Sequence, residues 1–227
     1  MYREFDCVSG KAVRLGLPDE APGDEAMVKT LIFDLGGVYF TDGTQSAFGK
    51  FQQRFGIPEL KTKEVLNGPL GMRYRTGLLS EETFWREAQT IFGTGLDFRS
   101  LRDEWFGGYI PIDGTVDLIK DLKDNGYEIL YLSDNVEERV AYLDRKYRFK
   151  RHFQSGVFSY EANRVKPDIK IYELVLRCTK NRSSECVFID DKKHFLEPAR
   201  TLGMRAVQFQ DPSQIRDDLM SLGVTLR

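Results

Sequence analysis

Short apolar runs alternate with segments of helical periodicity along most of this chain, and this alternation constrains the fold more than any other feature. Strands joined by helices run parallel, and the helices then cover both faces of the sheet. Ligands bind at the carboxyl ends of the strands in such sheets. The sequence therefore predicts an α/β fold with a parallel sheet. The candidate strands are residues 30–33, 129–132, 157–158, 186–189 and 206–209.

Residues 43–107 interrupt this alternation after the first candidate strand. Aromatic residues recur there at helical spacings, beginning with Phe48 and Phe51. Ser80, which precedes two glutamates, and Asp97 have the character of helix N-caps. We therefore expect an all-helical insert whose aromatic residues form its own core.

The domain organisation follows from these patterns. Residues 27–42 and 108–227 are predicted to form the core, with residues 43–107 as a small helical domain inserted into it. Residues 1–26 contain scattered glycines, prolines and charges without a sustained period, which is typical of a flexible extension.

Composition and charge narrow the range of partners. The 227-residue chain has 33 basic and 35 acidic side chains and a formal charge of -2, so we expect no nucleic-acid or membrane partner. No apolar run approaches the roughly 20 residues needed to span a bilayer, and the N-terminus lacks the pattern of a secretion signal. We expect a small soluble partner and a cytoplasmic location, while the oligomeric state stays open.

Polar or acidic side chains stand where three of the apolar runs end, namely Asp34, Ser133, and Asp190 with Asp191. A single aspartate after a strand is commonly a turn former or a helix cap. Three such ends, however, converge at one edge of a parallel sheet. The chain has only two histidines and no CxxC pair, so carboxylates are the available metal ligands. Carboxylates suit a hard cation, with Mg²⁺ as the first choice.

Four short motifs extend this pattern: DLGGV at residues 34–38, Ser133, KPD at residues 166–168, and Asp190 with Asp191. In this order they resemble the motifs of the haloacid dehalogenase-like hydrolase superfamily. The resemblance extends from residue 28 to about residue 224. It implies a Rossmann-like core, with helices on both faces of a parallel sheet, and a mobile all-helical cap inserted after the first strand.

The resemblance also implies roles for individual residues. Asp34 is expected to attack phosphorus and form an aspartyl-phosphate that water hydrolyses. Ser133 and Lys166 are expected to bind the phosphoryl group and to offset its charge. The expected substrate-binding residues are Gly37, Asp134, Asn135 and Arg75. The expected Mg²⁺ ligands are the Asp34 side chain, the backbone carbonyl of Gly36, Asp191, and Asp190 as either a ligand or the partner of Lys166.

Several positions depart from the family pattern, among them Gly36, Arg75 and Lys192. Gly36 stands where phosphatases of the family usually carry the acid that protonates the leaving group, and this favours substrates with a good leaving group. Arg75 stands where relatives often carry glutamate, and it either holds a second anionic group of the substrate or points to solvent. Lys192 follows Asp191 where small polar residues are common, and we expect it to point outward.

The resulting hypothesis is a Mg²⁺-dependent phosphatase of a small phosphorylated metabolite, with a sugar 1-phosphate as one candidate substrate. A 2-haloacid dehalogenase is the alternative, since it uses the same nucleophile without a metal. Asp190 and Asp191 disfavour it, because unneutralised carboxylates repel an incoming haloacid anion. A weakly active, phosphate-binding member of the family is a third hypothesis.

Overall fold

The computed structural model of the chain describes residues 26–93 and 95–226, so the extension predicted for residues 1–26 lies outside the described residues except for its last position. The strands are β1 (Thr30–Phe33), β2 (Glu128–Ser133), β3 (Ser155–Phe158), β4 (Cys186–Asp190) and β5 (Arg205–Gln208). They form one parallel sheet in the order β3-β2-β1-β4-β5. The strand β1 that precedes Asp34 is therefore at the centre of the sheet.

The sheet is buried on both faces. In β1, Leu31 and Phe33 pack into one hydrophobic cluster, whereas Ile32 packs into a second cluster. This division arises because successive side chains of a strand point to opposite faces. Helices cover both clusters, and the predicted α/β fold class is confirmed.

Helices account for most of the remaining described residues, and none of them combines the length and apolar character that crossing a bilayer requires. Between β1 and β2 lie α1 (Gly43–Phe55), α2 (Glu59–Asn67), α3 (Pro69–Arg75), α4 (Glu81–Phe92), α5 (Phe98–Gly107) and α6 (Asp113–Asp124). The later helices are α7 (Glu137–Tyr147), α8 (Ser159–Ala162), α9 (Ile169–Leu176), α10 (Leu196–Thr201) and α11 (Pro212–Ser221).

The predicted helical insert, residues 43–107, coincides with α1 to α5. Both predicted N-caps are confirmed, because the side chains of Ser80 and Asp97 accept backbone N–H groups at the starts of α4 and α5. Trp85 and Trp105 are fully buried and pack edge to face, with ring centroids 6.1 Å apart. These aromatic residues are core residues, but they belong to the same hydrophobic cluster as Leu31 and Phe33 of β1, so the insert does not have a core of its own. We call residues 43–107 the cap; its behaviour as a separate domain stays a prediction.

Candidate active site

The carboxyl ends of β1, β2 and β4 bring predicted site residues to one edge of the sheet. Phe33 of β1 pairs with residues of both β2 and β4. The backbone N–H of Asp34 then donates to the carbonyl of Ile189 (2.9 Å), which continues the pairing with β4. Asp34 follows β1, Ser133 ends β2 and Asp190 ends β4. The three strands therefore end side by side, as the sequence predicts.

Lys166 lies at this edge, in the loop between α8 and α9, and is only 3% exposed. Its Nζ is 2.9 Å from Oδ1 of Asp34 and 2.5 Å from Oδ2 of Asp190. Burial alone would lower the pKa of Lys166, but Asp190 and Asp34 outweigh burial and raise this pKa well above its ordinary value. Lys166 is therefore a permanent cation beside Asp34.

Two further contacts hold Lys166 in place. Its backbone N–H donates to Oδ1 of Asp134 (3.0 Å), which ties the loop to the end of β2. Its ammonium lies 4.9 Å from the ring centroid of Phe195, a cation–π distance. The ring shields the ammonium from water and strengthens its attraction to the two carboxylates.

Asp34, Asp190 and Asp191 form a carboxylate cluster, with one oxygen of each within 4.8 Å of the others. Burial raises the pKa of the Asp34 carboxyl; Lys166 opposes this rise and Asp190 adds to it. Burial also raises the pKa of Asp191, and Asp34 contributes to this rise. The cluster keeps a net negative charge beside Lys166, so its oxygen donors fit a hard divalent cation such as Mg²⁺.

Gly37 lets the turn after β1 pass close to this cluster. Its φ is +93°, and a Cβ on it would lie 2.7 Å from Cγ of Asp191. A side chain at this position would therefore be strained and would collide with the carboxylate. The amide of Gly37 donates to the carbonyl of Phe40 (2.7 Å).

The prediction that Lys192 points outward is wrong. Its Nζ lies 3.4 Å from Asp191 and 4.0 Å from Asp42, although the side chain is 41% exposed. The backbone N–H of Lys192 donates to Oδ1 of Asp190 (2.8 Å), and this turn brings the side chain over Asp191. Lys192 therefore competes electrostatically with a cation held by the cluster.

A cavity of about 350 Å³ opens at this edge of the sheet, a size that suits a small metabolite. Six of the predicted site residues lie on its wall: Asp34, Gly36, Arg75, Asp134, Asn135 and Lys166. The other four, all within the described residues, are not part of the wall: Ser133, Gly37, Asp190 and Asp191.

Tyr109 and Gly36 are neighbours in the cavity wall. A Cβ on Gly36 would lie 3.3 Å from Cε1 of Tyr109, so an acidic side chain there would press against the ring. The Tyr109 hydroxyl accepts from Nη1 of Arg139 (2.8 Å) and is 2.6 Å from Oγ1 of Thr44. The space that the usual acidic side chain would need beside residue 36 is therefore taken by the ring of Tyr109.

Thr44, Tyr109 and Arg139 line the cavity, although the sequence does not single them out as site residues. Arg139 carries a signal that could have identified it. It lies on the buried face of α7 together with Val140 and Leu143, where apolar residues are the rule. A fully buried arginine needs a partner or a function. Threonine and tyrosine at these positions carry no comparable signal.

Ser159 ties the cap to the site. Its hydroxyl donates to the backbone carbonyl of Arg75 (2.7 Å) and lies 2.9 Å from the backbone nitrogen of Asn135, from which it accepts. Close by, the Asn163 side chain donates to the carbonyl of Thr76 (2.9 Å). The end of α3 is therefore held against the end of β2, and this contact places the Arg75 side chain at the cavity.

Comparison with known proteins identifies the family of this chain. Residues 28–199 match the family model described as haloacid dehalogenase-like hydrolase. The chain therefore belongs to the haloacid dehalogenase-like hydrolases.

Several phosphate-ester hydrolases are among the similar proteins. Flavin mononucleotide hydrolase 1 of Arabidopsis thaliana is 25% identical over 172 residues, which cover 76% of this chain and 69% of that protein. D-ribitol-5-phosphate phosphatase of Bacteroides thetaiotaomicron is 22% identical over 203 residues, which cover 85% and 97% of the two chains. A family enzyme from Bacteroides thetaiotaomicron, crystallised with magnesium and inorganic phosphate, has a TM-score of 0.67 at 23% identity, covering 83% of this chain and 98% of that one. The fold is therefore shared over 83% of this chain.

Proposed function

We propose that this protein is a Mg²⁺-dependent phosphatase that hydrolyses the phosphate ester of a small metabolite through an aspartyl-phosphate on Asp34. One observation carries the proposal: Asp34 lies 2.9 Å from the buried ammonium of Lys166 and within 4.8 Å of two further carboxylates. A carboxylate nucleophile beside a fixed cation and a metal-binding cluster suits phosphoryl transfer, which depends mainly on positioning and electrostatics.

In the first step, a carboxylate oxygen of Asp34 attacks phosphorus, the bond from phosphorus to the ester oxygen breaks, and this oxygen takes a proton from solvent. In the second step, water attacks the phosphorus and loses a proton to solvent, and the bond from Asp34 to phosphorus breaks. Inorganic phosphate leaves and the carboxylate is restored. Throughout, Lys166 offsets the charge on Asp34 and on the phosphoryl oxygens, and Ser133 donates a hydrogen bond to the phosphoryl group.

The roles of the two consecutive aspartates differ in this proposal. Both carboxylate oxygens of Asp190 already accept hydrogen bonds, one from the Lys166 ammonium and one from the Lys192 amide. We therefore assign Asp190 as the partner of Lys166. The residues that hold Mg²⁺ are then Asp34, the carbonyl of Gly36, and Asp191. When bound, the ion supplies positive charge that stabilises the transferring phosphoryl group.

The leaving group receives no proton from residue 36, because this position is glycine. Loss of such a general acid costs on the order of 10²- to 10⁴-fold in rate when the leaving group needs protonation. The preferred substrate is therefore one whose leaving group departs without this help, such as a sugar 1-phosphate. Aryl and acyl phosphates share this property.

The test measures phosphate release from a panel of sugar, nucleotide, aryl and alkyl phosphates, with Mg²⁺ and with chelator. We expect release that depends on Mg²⁺, is faster for good leaving groups, and is abolished by Asp34→Asn. Asp211→Asn is the matched control, since Asp211 is an exposed N-cap of α11 outside the carboxylate cluster and the motifs, and asparagine can also cap a helix.

Two outcomes would redirect the proposal. Halide release from 2-haloacids in the presence of chelator would favour a dehalogenase. No release from any phosphate ester, together with no Asp34-dependent binding of beryllium fluoride and Mg²⁺, would favour a phosphate-binding protein without turnover. Binding of beryllium fluoride is informative because it requires the nucleophile and the cation site to be assembled together.

A further inference from the structure

Arg139 is a buried cation without a carboxylate partner among the described residues. It is 1% exposed, and its guanidinium donates to Oδ1 of Asn135 (2.7 Å), the hydroxyl of Tyr109 (2.8 Å) and the carbonyl of Asp134 (3.4 Å). All three acceptors are uncharged. Because a buried charge is usually paired with an opposite charge, Arg139 lacks the partner that its burial calls for.

Arg75 lies on the same cavity from the side of the cap. Its guanidinium donates to the carbonyl of Leu66 (2.6 Å) and to Oδ1 of Asn67 (3.3 Å), and it too makes no ion pair within the described part of the chain. Burial lowers the pKa of Arg75, and the positive charge of Arg139 lowers it further. Two like charges thus face one cavity, and an anion between them would relieve their repulsion.

Two surface arginines near the cavity arginines or their loops do make ion pairs. Arg73, two residues before Arg75 on α3, makes an ion pair with Glu87, and Arg164 makes one with Asp168. Arg75 and Arg139 differ from these two arginines in lying on the cavity, where a ligand can reach their guanidinium groups.

The acids on the cavity wall have other hydrogen-bond partners. Asp134 accepts from the backbone N–H of Lys166 (3.0 Å), and Asp42 accepts from the backbone N–H of Gln45 (2.9 Å) at the start of α1. Neither carboxylate comes within ion-pair distance of Arg75 or Arg139. They moderate the positive potential at this part of the wall without neutralising either arginine.

Tyr109 and Thr44 add a neutral donor beside Arg139. The Tyr109 hydroxyl accepts from Arg139, and the Thr44 hydroxyl accepts from Nε1 of Trp105 (3.0 Å). The two hydroxyls share one hydrogen bond (2.6 Å), which uses the proton of one of them. The other proton remains to be donated, and both residues line the cavity.

We propose that Arg139 and Arg75, with the Tyr109–Thr44 hydroxyl pair, bind a second anionic group carried by the leaving portion of the substrate. This inference rests on the proposed function for the phosphoryl end of the substrate. The substrate is then a small phosphate monoester that also bears a carboxylate or a second phosphate. Guanidinium groups suit both anions, because their planar N–H groups match pairs of oxygens.

Binding of matched phosphonates tests this subsite without turnover. Phosphonoacetate, 3-phosphonopropionate and 4-carboxyphenylphosphonate, which span different lengths, are compared by calorimetry in Mg²⁺ with methyl-, ethyl- and phenylphosphonate, which lack only the carboxylate. We expect at least one carboxylated compound to bind about tenfold more tightly than its match, as hydrogen bonds to charged groups contribute. Equal affinity within every pair, or no binding of any compound, would overturn the inference.

Variants test whether the arginines cause the tighter binding of the carboxylated phosphonates. Arg75→Gln and Arg139→Met should each reduce the affinity ratio of the best pair toward one. Arg73→Gln is the matched control on α3 and should keep the full ratio. Because Arg139 is buried, thermal unfolding accompanies its measurement, and Arg75→Gln provides an independent test on the cap. An unchanged ratio in folded Arg75→Gln and Arg139→Met would contradict the assignment.

The two proposals fail in different ways. If the carboxylated phosphonates bind more tightly but no phosphate ester is hydrolysed, the subsite stands and the proposed function falls. If phosphate esters are hydrolysed with equal kcat/KM whether or not they carry a second anionic group, the phosphatase stands and the subsite falls.

Discussion

At the carboxyl end of the sheet, the buried Lys166 is in contact with two carboxylates, whereas the buried Arg139 on the same cavity contacts none. Both side chains are less than 5% exposed. They differ in the groups that surround their positive charge. Lys166 is neutralised by the protein itself, and Arg139 is surrounded by neutral acceptors and the faces of Trp105 and Tyr109.

This difference in charge balance indicates that the two ends of the cavity suit different ligands. Beside Lys166, carboxylates outnumber cations, and such a set of oxygen donors suits a metal ion. At the other end, Arg75 and Arg139 make no ion pair within the described residues, and in our proposal they bind an anion there. If both proposals hold, a phosphate ester with a second acidic group matches both ends, with its phosphoryl group beside the carboxylate cluster.

Replacing Lys166 tests the end of the cavity where the buried cation is paired with carboxylates, which we call the paired end. This replacement has the largest expected effect. Lys166→Met leaves Asp34 and Asp190 buried without their cation, and breaking a buried pair in this way costs about 3–5 kcal/mol. We expect a loss of this size in the free energy of urea unfolding at pH 7. Phosphate release should fall by about 10²- to 10³-fold, since removal of one key electrostatic group costs about this much.

The pH dependence of this loss identifies its cause. Burial raises the pKa of both Asp34 and Asp190, and their folded pKa values rise further when Lys166 is absent. A carboxyl with a raised folded pKa loses stability as pH rises through that pKa. The stability deficit of Lys166→Met should therefore shrink as pH falls toward about 4, where carboxyls are protonated. A deficit that is independent of pH would attribute the loss to packing.

Adding Mg²⁺ tests the same end of the cavity by supplying a cation instead of removing one. A cation that binds only the folded protein stabilises it by about 2.7 kcal/mol at a concentration of 100 times Kd. We expect Mg²⁺ to raise the unfolding temperature, and Asp191→Asn to weaken this response because it removes a ligand from the carboxylate cluster. Asp211→Asn should respond like the unmodified protein. An equal rise with Na⁺ at matched ionic strength would indicate screening instead of a site.

Much of the paired end could be predicted from the sequence. Asp34 and Asp190 stand where apolar runs stop, and a parallel sheet brings such positions to one edge. This argument needs only local patterns and one rule of topology. It fails for Lys192, whose direction depends on a single hydrogen bond between its amide and Asp190.

The other end of the cavity was less accessible to prediction. Arg75 belongs to the cap and Arg139 to α7, and only the packing of the cap on the core brings them together. The contact between Tyr109 and Gly36 likewise depends on how α5 meets the turn after β1. No local periodicity reports such contacts. Arg75 entered the predicted site through family resemblance, and its partner Arg139 did not.

Replacing Arg139 gives the smallest expected effect and the sharpest contrast with Lys166. Arg139→Met removes hydrogen bonds to Asn135 and Tyr109 and two cation–π contacts, but it also removes the cost of burying an unpaired charge. These contributions oppose each other, so the free energy of urea unfolding without ligand should change by only about 1 kcal/mol. A loss as large as that of Lys166→Met would mean that the neutral acceptors and aromatic rings already compensate Arg139 fully. The cavity would then have no need of a second anionic group.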